Sequence, residues 1–211
     1  MPRPLLILFA KAPIAGRAKT RLCPPLTLLE AADLHSALLM DIASMLRSFG
    51  SSIDVELSTD FPTDAWPGLD LTRAIQIEGD LGARLFHALD RGLAGGREVV
   101  AVLGCDSPGL PPTHITELLK SDADVTLGPT EDGGFFSIAC RAVHREMFAG
   151  VRWSSEYTLV DVVRQASACG LAVALGPAWF DVDVQSDLLR LLDMPNLQQN
   201  TARWARQYRQ R

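Results

Sequence analysis

The chain alternates between short apolar runs and longer segments whose apolar positions recur at helical spacing. Residues 5–10 (Leu-Leu-Ile-Leu-Phe-Ala) are apolar without a break, as a strand buried on both faces should be. Thr27-Leu-Leu-Glu30 has capping-box spacing, and the helix it opens is predicted to run to about Ser48, with Gly50 just past its end. Residues 53–58 alternate apolar and polar and read as a second strand. Residues 61–68, with two prolines and a glycine, read as a loop. A short strand is predicted at 74–77, and Asp80 can cap a helix through about Leu93, ended by Gly95-Gly96. A strand at 98–103 runs straight into Gly104-Cys-Asp106. Pro111-Pro112-Thr113 starts a helix to about Ser121, and strands follow at 123–127 and 135–140. A helix over 155–169 stops at Gly170. A strand at 171–175, a short extended piece at 180–184 and helices at 186–193 and 197–210 complete the pattern.

Strands alternating with helices predict βαβ units and an α/β fold with a mainly parallel sheet. No repeat, low-complexity segment or linker divides the chain, so residues 1–211 are expected to form one domain. Residues 196–211 are expected to be a C-terminal amphipathic helix, with Leu197, Trp204 and Tyr208 near one stripe and Arg203, Arg206, Arg209 and Arg211 on a solvated face.

With 211 residues, 47% of them hydrophobic, the chain can bury a sizeable core. A net charge of −5 argues against a general nucleic-acid binder, so no nucleic-acid partner is expected. Leu5–Ala10 is far too short to span a bilayer, and the start lacks the long apolar core of a signal peptide. No membrane partner is expected, and the expected location is cytoplasmic. Cys23, Cys105, Cys140 and Cys169 show no CxxC spacing and read as reduced thiols; Cys105, inside a candidate site loop, reads as a small residue suited to tight packing, with a nucleophile as the alternative. His35, His87, His114 and His144 are scattered and form no metal pattern.

Three loops that follow apolar runs carry the candidate chemistry, at the strand ends where open α/β sheets place ligands. The first holds Lys11, Gly16, Arg17, Lys19 and Arg21. It is not a Walker A loop: the early glycine is missing, and Lys19 comes three residues after Gly16. It is still a cationic loop whose lysines offer point charges and whose arginines can grip two phosphate oxygens at once. The second loop brings Asp106 to a strand's carboxyl end, where a carboxylate is a hard ligand suited to Mg²⁺ or Mn²⁺. In the third, Asp132-Gly133-Gly134 permits a tight turn and can present Glu131 or Asp132. A fourth acidic segment puts Asp181 and Asp183 on one side of an extended stretch, so that either could complete a metal site with Asp106. Ser186 or Asp187 reads as a helix cap.

Taken together, Lys11-Ala-Pro…Gly16…Lys19-Thr-Arg-Leu, Gly104-x-Asp106-x-Pro108-x-Leu110 and Gly128-Pro-x-x-Asp132-Gly-Gly resemble the GT-A-type transferases labelled glycosyltransferase-like or selenodomain-associated transferase. That group is similar to the phospholactate and molybdenum-cofactor guanylyltransferases. The resemblance spans Leu5 to about Leu189 and implies a three-layer α/β/α, Rossmann-like nucleotide-diphospho-sugar transferase fold. It also implies a nucleotide near the first loop and a divalent metal near Asp106. The late segment departs from the family's Asp-x-Asp-Thr at Val184, and Phe135-Phe136 stands where Tyr is common.

The leading expectation is a metal-dependent nucleotidyltransferase. Lys11, Gly16, Arg17, Lys19 and Arg21 would bind the phosphates of a nucleoside triphosphate, and Asp106 and Asp183 would hold Mg²⁺ or Mn²⁺. Glu131, Asp132, Gly133 and Gly134 would hold a small phosphorylated or hydroxyl acceptor, with Lys19, Asp106 and Asp132 as the catalytic set. The alternatives are a glycosyltransferase using a nucleotide sugar and a non-catalytic nucleotide-binding protein.

Overall fold

A computed structural model describes residues 2–63, 65 and 68–210; Arg211 and part of the expected 61–68 loop lie outside the described residues. Among these, strands β1 (Leu5–Ala10), β2 (Asp54–Thr59), β3 (Thr72–Ile75), β4 (Val100–Gly104), β5 (Val125–Pro129), β6 (Phe135–Cys140) and β7 (Val173–Leu175) form one sheet in the order β3-β2-β1-β4-β6-β5-β7. β1 is an interior strand, parallel to both β2 and β4, with Leu5 opposite Asp54 and Val100. β6 runs antiparallel between β4 and β5, and the other pairs are parallel, so the sheet is mainly parallel.

The uninterrupted apolar run of β1 is explained by layers on both faces. Leu6 and Leu8 pack with Leu39, Ile42 and Leu46 of α1 (Leu28–Arg47) and with Ile115 and Leu118 of α3 (Pro112–Lys120). Ile7 points the other way, towards Leu85 and Leu89 of α2 (Leu81–Ala94) and Val162 and Ala166 of α4 (Thr158–Ala168). The result is the α/β/α sandwich of the expected fold class. A third cluster lies outside α1. There Leu34 and Leu38 meet Leu188 and Leu191 of α5 (Gln185–Asp193) and Trp204 of α6 (Gln199–Arg209).

The capping box forms as expected: Thr27 Oγ1 accepts the Glu30 N–H at 3.2 Å, and the Thr27 N–H donates to Glu30 at 2.6 Å. The expected extended piece at 180–184 is not a strand. It crosses the end of β4, tied there by the Val182 N–H to the Asp106 carbonyl at 3.0 Å, while a lysine side chain takes the Val182 carbonyl. The helix expected from residue 155 starts at Thr158, because a turn comes first, closed by the Thr158 N–H on the Ser155 carbonyl. Other strand ends shift by one or two residues from the sequence pattern.

Candidate active site

The order of the sheet decides where the site lies. β2 and β4 flank β1 on opposite sides, so the chain leaves β1 in one direction and returns through β4 in the other. The carboxyl ends of β1 and β4 then open on a common crevice, the place where such sheets bind ligands. A cleft of about 410 Å³ lies there.

In the first loop the backbone turns Lys19 inward. Gly16 has φ +85, a conformation that costs a side chain but not glycine. Lys19 itself adopts φ 51 and leads into a 3₁₀ turn, Thr20–Leu22, anchored by fully buried Leu22. The Lys19 side chain is only 4% exposed. Its Nζ lies 2.8 Å from Asp106 Oδ1, 2.8 Å from Asp183 Oδ1 and 2.6 Å from the Val182 carbonyl. An ammonium has three N–H donors, and these three acceptors take them all. Burial alone would lower the Lys19 pKa, but the two carboxylates outweigh it and raise the value well above the ordinary lysine range. Asp106 shows the reverse balance: burial works to raise it, and Lys19 and His35 hold it well below the usual carboxylate range.

Asp181 lies beside this centre and accepts a hydrogen bond from the buried Ser107 hydroxyl. Burial is the main cause that pushes its carboxyl up to about 7. Asp187 helps to fix Asp183, since its Oδ2 accepts the N–H of both Asp183 and Val184 at 2.9 Å.

The remaining candidates separate. Lys11 and Arg21 line the cleft, and Arg21 Nη1 is 4.0 Å from Asp183 Oδ2. Arg17 turns away towards the end of β2, where it meets Asp60 at 3.2 Å and lies over the Phe61 ring at 4.5 Å. Glu131 pairs with Arg190 of α5 at 2.5 Å, and Asp132 closes its own turn by accepting the Thr130 hydroxyl at 2.6 Å and the Gly134 N–H at 3.0 Å. From that end of the sheet it is Phe135 and Phe136 that line the cleft.

Gln76, Arg84 and Ser154, which carried no sequence expectation, also line the cleft, as do His35, expected to be one of four scattered histidines, and Cys105, expected to serve packing. Gln76 follows β3 directly, with its N–H on the Thr59 carbonyl at 2.8 Å, and Arg84 Nη1 donates to Gln76 Oε1 at 3.3 Å. The strand-end rule that singled out the first two loops would have flagged Gln76. His35 had no such signal, being one polar residue on the apolar face of a long helix.

The third loop is held against the residues that precede α4. Gly133 has φ +86, and a Cβ there would lie 2.2 Å from the Glu156 carbonyl oxygen. Gly133→Ala is therefore expected to destabilise the fold by about 2–3 kcal/mol, from the left-handed conformation together with a backbone clash. Urea unfolding of both proteins checks this; an unchanged midpoint would mean that the turn does not pack on Glu156.

Asp161 of α4 holds the same region from the other side. Fully buried, it accepts from the Arg152 N–H at 3.1 Å and from Arg152 Nε and Nη2 at 2.8 and 2.9 Å. These Arg152 side-chain and backbone donors hold its carboxyl well below the usual range. A carboxylate lowered in the folded state stabilises the protein above its unfolded pKa of about 3.9 and loses that contribution as pH falls through the folded value. Asp161→Asn should melt several degrees below the wild type at neutral pH, and the gap should close on acidification below about pH 4. Melting curves across pH check it, and a gap that stays constant into acid would count against the pairing.

Residues 45–155, just over half of the chain, match the family described as uncharacterized protein conserved in bacteria (DUF2064). The chain belongs to this family. The DUF2064 chain is 32% identical over 120 residues to a 2-phospho-L-lactate guanylyltransferase of Methanosarcina acetivorans, a match covering 56% of the chain and 53% of that relative. It thus spans about half the length of the curated relatives it matches. A solved structure from Desulfovibrio desulfuricans G20, provisionally named a nucleotide-diphospho-sugar transferase, is 26% identical, with a TM-score of 0.84 and 99% of both chains covered. A CMP:2-keto-3-deoxy-manno-octonic acid synthetase solved with CTP shares the fold at 11% identity and a TM-score of 0.57, over 90% of this chain and 97% of that one. Among the described residues, no helix is long and apolar enough to cross a membrane.

Proposed function

We propose that this DUF2064 chain is a metal-dependent nucleotidyltransferase. It would move a nucleotidyl group from a nucleoside triphosphate to a small phosphorylated or hydroxyl acceptor and release pyrophosphate. The observation that carries the reading is the junction of Lys19, Asp106 and Asp183 on the floor of the strand-end cleft. The guanylyltransferase relatives support the reaction class.

Lys11, Arg21 and Arg84 bring positive charge to the cleft wall and bind the triphosphate; Lys19 fixes the two carboxylates relative to each other. Asp106 and Asp183 are part-exposed oxygen donors, which suits Mg²⁺ or Mn²⁺, ions held by one or two carboxylates together with phosphates. When bound, such an ion supplies charge neutralisation at the phosphates. An acceptor oxygen attacks the α-phosphorus. The new P–O bond forms as the bond to the bridging oxygen breaks, and pyrophosphate carries away the electron pair; a hydroxyl acceptor also gives up its proton, which passes to solvent. Positioning and charge neutralisation carry such a reaction without a protein nucleophile.

The test is a thermal-shift screen of the four nucleoside triphosphates with and without Mg²⁺, followed by a pyrophosphate-release assay with GTP and 2-phospho-L-lactate. A ligand that binds only the native state raises the melting temperature. A Mg²⁺-dependent shift with one triphosphate and release of pyrophosphate are expected. The Desulfovibrio structure favours a second reading, glycosyl transfer from a nucleotide sugar. That reaction would release a nucleoside diphosphate, and a shift confined to sugar nucleotides would establish it in place of the first.

A further inference from the structure

Beside Asp106 the cleft floor holds two donor groups that the proposed nucleotidyl transfer does not use. Two buried residues, His35 from α1 and Cys105 just past β4, converge on Asp106. His35 Nδ1 is 3.6 Å from Asp106 Oδ1 and 3.8 Å from Cys105 Sγ, and Sγ is 3.7 Å from the same Oδ1. Nitrogen, sulfur and oxygen thus form a nearly equilateral triangle. Around a tetrahedral ion with bonds of about 2.0–2.3 Å, neighbouring ligands of these types lie about 3.4–3.6 Å apart. The observed edges are longer by only a few tenths of an ångström, which a small rotation of the side chains supplies.

The orientation of the imidazole is a separate observation. His35 Nε2 lies 2.8 Å from the Lys11 carbonyl oxygen. A carbonyl can only accept, so Nε2 carries a hydrogen, and Nδ1 is the nitrogen that faces Asp106 Oδ1, with Cys105 Sγ beside the ring at 3.8 Å from Nδ1 and 4.0 Å from Nε2. Metal-bound imidazoles have this arrangement, ligating through one nitrogen and donating the other N–H to a backbone carbonyl or carboxylate. The three residues also line the cleft, so a fourth ligand can come from the open side.

We infer that His35 Nδ1, Cys105 Sγ and Asp106 Oδ1 form a binding site for a divalent transition ion of the Zn²⁺ or Co²⁺ class. A sulfur and an imidazole nitrogen select such ions over Mg²⁺, which prefers oxygen in octahedral geometry. As the ion binds, the thiol proton and any proton on Nδ1 pass to solvent. Lys19 yields its contact with Asp106 Oδ1 and keeps Asp183 and the Val182 carbonyl.

The test uses the full chain, stripped with chelator and titrated with Co²⁺ in the absence of nucleotide, so its outcome is independent of the nucleotidyl-transfer reading. A thiolate-to-cobalt charge-transfer band is expected at one equivalent, removed when Zn²⁺ displaces the cobalt. Cys105→Ser should abolish the band, and His35→Gln should weaken Co²⁺ binding more than about 10-fold. Cys23 and Cys169 are partly exposed, whereas Cys140 is buried in the core between the sheet and α2 and α4. A Cys23→Ser/Cys169→Ser protein should therefore keep the band, which assigns it to Cys105 even if Cys105→Ser fails to fold. No band in the wild type, its persistence in folded Cys105→Ser, or its loss in the double variant would overturn the assignment.

Discussion

Lys19→Met is expected to lower kcat/KM for nucleotidyl transfer by about 10²–10³-fold, the usual scale for removing one preorganised charge from an active site. Lys19 Nζ is the shared partner of Asp106 and Asp183, at 2.8 Å from each, and its side chain is almost wholly buried. Without it the two carboxylates lose the one cation they share, Arg21 at 4.0 Å from Asp183 and His35 beside Asp106 do not bridge them, and the geometry on which the phosphates depend is lost. Lys19→Arg should not restore activity, because a planar guanidinium cannot take the place of a compact ammonium among three converging acceptors. Steady-state kinetics on variants shown to be folded by circular dichroism decide the matter. Near-wild-type kcat/KM in folded Lys19→Met would remove Lys19 from the site.

The largest loss of stability is expected at a distance from the cleft, at Asp41. This buried carboxylate on α1 accepts the Asn200 N–H at 3.0 Å, Asn200 Nδ2 at 2.8 Å, the Thr201 N–H at 2.8 Å and the Thr201 hydroxyl at 2.7 Å. It thereby caps α6, whose own N-cap residue, Gln198, makes no side-chain cap. Hydrogen bonds to a charged group contribute about 1.5–3 kcal/mol each, with incomplete additivity. Asp41→Ala should cost about 3–5 kcal/mol and lower the melting temperature by about 10 °C. Trp204 follows α6 onto α1, its Nε1 donating to the Glu30 carbonyl at 3.2 Å, so tryptophan fluorescence should report early exposure of that ring. A loss below about 1 kcal/mol would show that water replaces the carboxylate at no great cost.

Features that rest on neighbours within a few residues can be read along the chain before it folds. The unbroken apolar run of β1, the Thr27–Glu30 capping box, Asp80 as the α2 cap and the loops that end β1 and β4 were all legible, because each is a local pattern of burial or backbone hydrogen bonding. From those loops it also follows that Lys19 and Asp106 belong at strand ends. That the two meet depends on long-range pairing, of β1 with β4 and of the 180–184 segment with the end of β4. The same holds for what became of the other charges. Arg17 found Asp60, Glu131 found Arg190, and Asp41 found the start of α6, each through a partner remote in sequence. A side chain's role in these cases is fixed by which surface folding brings against it, and neither spacing nor composition encodes that choice. His35 shows this most clearly: a lone polar residue in a helical apolar stripe acquires a defined orientation only when the Lys11 carbonyl and the end of β4 close around it.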